Sequence, residues 1–142
     1  MFKNSIIPAW VNVFMLLILF FMSLQVYWFY FDHSFLAEAG ISLQSSADYN
    51  IIYTTAGRLL AMIVITLIAM ATQSAQQYML VLSIFREGQE TVIDPLFPYL
   101  NSPASPMADL ITHLVIVALE VTALIVIYRR TRQMKAKAKF AR

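Results

Sequence analysis

From Ala9 to Phe31 only Asn12, Ser23 and Gln25 interrupt an apolar run. A helix of that length crosses a hydrocarbon core of about 30 Å at about 1.5 Å per residue. The run is longer than the apolar centre of a signal peptide, typically about 7–15 residues. The cleavage-like Ala37-Glu38-Ala39 also lies well past its end, so a retained anchor is expected. Trp10 at one end and Tyr27-Trp28-Phe29-Tyr30 at the other are interfacial residues, and Pro8 sits where a first-turn proline is tolerated. Two more apolar runs follow, Thr55 to Thr72 with Arg58 one turn inside, and Leu110 to Tyr128 with His113 and Glu120 within it.

The remaining segment is different. Tyr78 to Phe85 is a short apolar run, and Arg86-Glu87-Gly88-Gln89-Glu90 follows it directly. To reach the far side of a bilayer the helix must continue through these charges to about Ile93. Asp94-Pro95 is then expected to end it, because proline lacks an amide donor and disfavours helix in the residue before it. Charge placement argues for this crossing. Arg129, Arg130, Arg132, Lys135, Lys137, Lys139 and Arg142 crowd the C-terminus, and the loops 32–54 and 94–109 contain no Lys or Arg. Four crossings put the basic tail and Lys3 together in the cytoplasm, as the positive-inside rule requires. Three would leave a loop without basic residues on that side.

The expected fold is therefore all-α: a polytopic bundle of four transmembrane helices, about 9–31, 55–72, 76–93 and 108–128, with cytoplasmic N and C termini. Residues 1–128 form the membrane domain and 129–142 a basic cytoplasmic tail, whose Met134, Ala136 and Ala138 among the lysines are compatible with an extension of the last helix. Composition agrees: of 142 residues, 60% are hydrophobic and 13% charged, against about 25% charged in a soluble domain. Cysteine is absent, which removes disulfides and thiolate chemistry. Phe35, Leu36, Ile41 and Leu43 predict a short interfacial helix or packed loop after the first span. Pro95, Pro98, Pro103 and Pro106 predict a stiff connection before the last, with Leu96, Phe97, Tyr99 and Leu100 folding back on the surface. Gly57-x-x-x-Ala61 and the small residues Ala69, Ala71, Ser74 and Ala75 permit close helix approach.

Charge at lipid depth persists where it is paired, wetted or functional. The alternating direction of four spans places Arg58, Arg86, Glu87, Glu90 and His113 in the outer half, with Asp32 and His33 at the rim. Glu87, Glu90 and Asp94 share one helix face, and Asp109, His113 and Glu120 share another. Glu120 lies roughly 16 Å beyond Asp109 along a helix, near the midplane. Three readings are open for this polar network of Arg58, Arg86, Glu87, Glu90, His113 and Glu120. It is a buried salt-bridge network that fixes register; or a metal or haem site using Glu87, Glu90, His113, Glu120 and His33; or a proton path from Glu120 through His113, with Asn12, Thr66, Thr72 and Gln73 in the inner half. The Glu-x-x-His pairs of di-iron bundles and a His-Glu-x-x-His motif are absent, so no metal or other cofactor is predicted. No Gly-x-Ser-x-Gly or phosphate loop occurs, which argues against a catalytic role. The basic tail has no basic folded surface beside it, so nucleic acid is not an expected partner.

Phe35-Leu36-Ala37-Glu38-Ala39-Gly40-Ile41 after the first helix, and Thr55-Ala56-Gly57-Arg58 opening the second, resemble the small bacterial four-helix DoxX-like membrane proteins. Arg86-Glu87-Gly88-Gln89-Glu90 departs from that pattern. The resemblance implies a multi-pass protein of the bacterial inner membrane, sometimes associated with redox partners, and transfers no active-site residues. Small size, the missing catalytic motifs and the uniformly large apolar first helix favour a non-catalytic accessory or assembly subunit docked on larger membrane proteins. The alternative is a small transporter, or a lipid- or quinone-binding protein, using the outer polar cleft.

Overall fold

The computed structural model describes residues 7–72, 75–97 and 106–140. Lys3, Gln73, Ser74, Pro98, Tyr99, Leu100, Pro103 and Arg142, which entered the sequence expectations, lie outside the described residues. The elements are α1 (Ala9–Tyr30), α2 (Ser34–Glu38), α3 (Ser46–Thr72), α4 (Gln76–Leu96) and α5 (Pro106–Phe140). Three helices are long and apolar enough to cross a membrane: α1, α3, and α5 over Met107–Ala136. The charged α4 does not meet that description.

Each long helix buries one stripe at steps of three or four residues. On α1 these are Val11, Met15, Leu19, Met22 and Val26; on α3, Ala56, Leu59, Ile63, Thr66 and Met70; on α5, Glu120, Ala123 and Ile127. That spacing is the seam of left-handed helix packing. Residues of all four long helices join one core, with Leu19, Ile63, Leu80 and Ile127 among them. The most extensive helix pair is α4 with α5, followed by α1 with α3.

In lipid, apolar contact between helices gains little over contact with acyl chains, so polar links and close packing carry more of the association. One such link is buried: the Gln76 side-chain amide donates to Asn12 Oδ1 at 3.0 Å. It sets the start of α4 beside the start of α1. At the other end of α1, the Tyr30 hydroxyl donates to the Tyr53 carbonyl at 3.2 Å, and the two rings stack. Gly57 lies against this contact, where a Cβ would stand 3.4 Å from the phenol oxygen, an ordinary van der Waals distance. Ala61, the other half of the expected small-residue pair, is exposed; Ala56 is the residue wholly buried at that contact.

Helix boundaries differ from the sequence expectations at the start of α3 and the end of α4, and the extension of α5 agrees with the helix-compatible tail. α3 starts at Ser46 rather than Thr55 because Ser45 and Asp48 form a reciprocal cap: Asp48 N–H donates to Ser45 Oγ, and Ser45 N–H donates to Asp48 Oδ2. α4 runs past Asp94-Pro95 to Leu96, closed by Phe97 N–H on the Ile93 carbonyl. A proline in the last turn forfeits one internal bond without blocking the turns before it. α5 continues through the basic tail, so residues 129–140 extend the last helix. Its 35 residues span roughly 52 Å at about 1.5 Å per residue.

The connection after α1 is compact. α2 folds back so that Phe35 stacks on Trp28 with centroids 4.2 Å apart, and Leu36 is buried. Gly40, at φ 84°, ends it through bonds from Gly40 and Ile41 amides to the Ala37 and Leu36 carbonyls. Between α3 and α4, Ala75 takes a left-handed conformation at φ 62° immediately before the first turn of α4.

Candidate functional site

α4 is turned inside out relative to a helix on a water-soluble surface. Its outward positions include Tyr78, Leu82, Phe85, Val92, Ile93 and Leu96, with Gln77 and Gln89 the polar side chains exposed among them. Its inward stripe begins with Gln76, Met79, Leu80 and Ser83 and continues into Glu87, only 2% exposed, with Glu90 and Asp94 beyond. The facing stripe of α5 supplies Asp109, His113 and Glu120. Two helices that each carry charge at steps of three and four thus close on one another, and the charges meet at their seam.

His113 is the centre. Its Nδ1 lies 2.7 Å from Glu87 Oε2 and 3.7 Å from Glu90 Oε2. Its Nε2 lies 3.4 Å from Asp94 Oδ2 and 3.7 Å from Asp109 Oδ1. The ring is therefore flanked by a pair of carboxylates on each nitrogen. Glu87 also pairs with its neighbour Arg86 through Oε1 and Nη2, while the buried Nε and Nη1 of Arg86 have no hydrogen-bond partner. Five carboxylates (Glu87, Glu90, Asp94, Asp109 and Glu120) are thus gathered around one guanidinium and one imidazole.

Glu120 lies two turns further along α5 and is wholly buried, with neither oxygen hydrogen-bonded. It is within electrostatic range of Arg86 and Glu90, and Ser83 faces it from α4 without completing a hydrogen bond. Beyond Ser83 lies a small cavity of about 20 Å³, lined by Met15, Met22, Met62, Thr66, Met79 and neighbours. That volume holds about one water. Past it come Gln76, whose Oε1 is buried and unpartnered, and Asn12. The buried polar and charged residues Glu87, Glu120, Ser83, Thr66, Gln76 and Asn12 therefore follow one another along the bundle interior.

Of the sequence-expected network, Arg86, Glu87, Glu90 and His113 are in mutual contact and Glu120 adjoins them. Arg58 is not brought in: it is exposed on α3 and forms no ion pair among the described residues. Asp32 and His33 form a separate rim. Asp32 accepts the Ser34 amide, and His33 bonds the Phe29 carbonyl and packs on Tyr49 and Tyr53. Thr72, expected on the inner path, is exposed, whereas Ser83 and Gln76 are buried on it. Their positions were readable from the sequence, Ser83 four residues before Glu87 on α4 and Gln76 seven before Ser83. No family model, curated protein or solved structure matches this chain.

Proposed function

We propose that the chain is a small membrane transporter whose α4–α5 cleft takes up cations, protons first among them, and passes them along the buried polar string. The observation that carries this reading is the inverted α4, which turns an apolar face outward and closes its acidic face on His113. In this reading α4 is the fourth span, since its 21 residues extend roughly 31 Å at about 1.5 Å per residue. The basic end of α5 lies in the cytoplasm with the N-terminus, by the positive-inside rule. The cleft then opens at the outer end, in the inner membrane of a bacterium if the DoxX-like resemblance holds.

The charge balance supports uptake of a cation rather than a closed salt-bridge network. Arg86 pairs with Glu87 and lies within electrostatic range of Glu90 and Glu120, while Glu90, Asp94 and Asp109 share His113, so five carboxylates face two basic side chains among the described residues. Like charges collected in a low-dielectric site disfavour one another, so protons or other cations must enter to neutralise them. Imidazole can carry a proton on either nitrogen, which suits the central position of His113.

The test is a proton-flux assay in liposomes with an entrapped pH-sensitive dye. Wild-type protein should dissipate an imposed pH gradient faster than empty vesicles, and Glu120→Gln should lose the excess while keeping its helix content. Flux equal to empty vesicles for folded wild-type protein sinks the reading.

The second reading is the accessory or assembly subunit, and a different feature favours it. The outward face of α1 exposes Leu16, Leu17, Phe20 and Phe21 side by side, a surface suited to lateral docking on another membrane protein as well as to lipid. Native mass spectrometry from mild detergent separates the two, because a stoichiometric heteromer supports the subunit and a lone chain or homo-oligomer argues against it. A bound quinone or lipid in the same spectrum would support the remaining alternative.

A further inference from the structure

We infer that the outer end of the cleft is a binding site for a divalent transition-metal ion, held by His113 Nε2, Asp94 and Asp109. The inference rests on reading the cleft as a cation site and names a second class of cation for it. The ligand atoms of these three residues lie within 4.8 Å of one another, and they come from two helices that pack along their length. One imidazole nitrogen with two carboxylates is a donor set for first-row divalent ions such as zinc or manganese.

Glu87, Glu90 and His113 also lie within 4.8 Å of one another, so the two sides of the ring must be told apart. On the Nδ1 side, Glu87 is nearly fully buried and already neutralised by Arg86. Its second oxygen stands 2.7 Å from Nδ1, the distance of a strong hydrogen bond. An Nδ1–H donated there leaves the Nε2 lone pair directed at Asp94 and Asp109. A carboxylate behind the ring and a metal in front of it is the usual arrangement of a metal-binding histidine, and it fixes both the tautomer and the ring orientation. On the Nε2 side, neither aspartate has a Lys or Arg partner among the described residues, and both remain partly open to the end of the bundle.

The experiment uses the full chain, purified in mild detergent, stripped with chelator and titrated with zinc or manganese alone. Native mass spectrometry reads stoichiometry and calorimetry reads affinity. One ion per chain is expected, with affinity weakened at least tenfold in Asp94→Asn and in Asp109→Asn. Glu87→Gln, which changes a positioning residue, should retain one ion with about 10–100-fold weaker binding. Arg58→Ala should bind as wild type. X-ray absorption of the loaded protein should show one nitrogen ligand with oxygen donors. Folded wild-type protein that binds no stoichiometric ion, or binding that survives both aspartate changes, overturns the site. Proton flux that depends on Glu120 without any metal binding would defeat this inference and leave the carrier intact; metal binding without flux would do the reverse.

Discussion

Glu87 and His113 meet across the α4–α5 seam with 2.7 Å between Oε2 and Nδ1, while the other oxygen of Glu87 holds Arg86. One carboxylate thereby orients an imidazole from the facing helix and a guanidinium on its own. The relation places a nearly buried anion at the point where two charged helices must agree on register. Its removal is the sharpest available test of how the bundle holds together.

Glu87→Ala should destabilise the protein by about 3–5 kcal/mol, because Arg86 would keep a largely buried charge without its partner. Arg86→Met combined with Glu87→Gln should recover much of that loss, since the orphaned charge is gone. Thermal or denaturant unfolding in one detergent, read by helix content, compares the single and double variants. A single variant as stable as wild type would show that the pair is not what fixes the seam.

The Asn12–Gln76 bond is the described polar link between α1 and α4. Asn12→Leu should lower stability by about 1–3 kcal/mol by leaving a buried amide unsatisfied. Asn12→Leu with Gln76→Leu should be milder than Asn12→Leu alone, because no polar group is then stranded. The same unfolding measurement decides, and equal losses for the single and double variants would go against a stranded-donor origin.

Arg58→Ala should change stability by no more than about 0.5 kcal/mol, as is usual for an exposed side chain without an anchoring contact. It should also leave proton flux unchanged. Loss of flux in a folded Arg58→Ala protein would mean that α3 contributes charge to the path, which its exposed position does not support.

Acid should loosen the turn between α1 and α2. The hydroxyl and amide of Ser34 hold the Asp32 carboxyl below its ordinary range, the hydroxyl most strongly. A carboxylate whose folded pKa is depressed contributes stability above its unfolded value and loses it as pH falls through the folded one. Carbon-detected NMR of Asp32 should therefore titrate below a model aspartate, and Ser34→Ala should return it toward the usual range. An unchanged midpoint in Ser34→Ala would rule out that origin.

Much of this arrangement is legible in the residues, and the exceptions have physical causes. The apolar runs of α1, α3 and α5 announce themselves because lipid demands length and hydropathy. The inward face of α4 follows from the spacing of Glu87, Glu90 and Asp94, and that of α5 from Asp109, His113 and Glu120. Arg58 misleads because one turn inside a span fixes depth, whereas azimuth decides partners; it falls on the face of α3 opposite Ala56 and Leu59 in exposure. The early start of α3 was encoded in Ser45-x-x-Asp48, a local cap that apolar content does not reveal. Pro95 deceives in the other direction, since its penalty depends on how many turns remain after it.

The pairing of α4 with α5 also has a consequence for the order in which the chain is made. Translation delivers α4 before α5, so Glu87, Glu90 and Asp94 leave the ribosome before His113 does. If α4 crosses as proposed, it is expected to wait at the membrane surface or in the insertion machinery until the final helix emerges, so that the two enter lipid as one hairpin. A released chain truncated before Pro106 should leave α4 outside the bilayer, and the chain that includes α5 should draw it in.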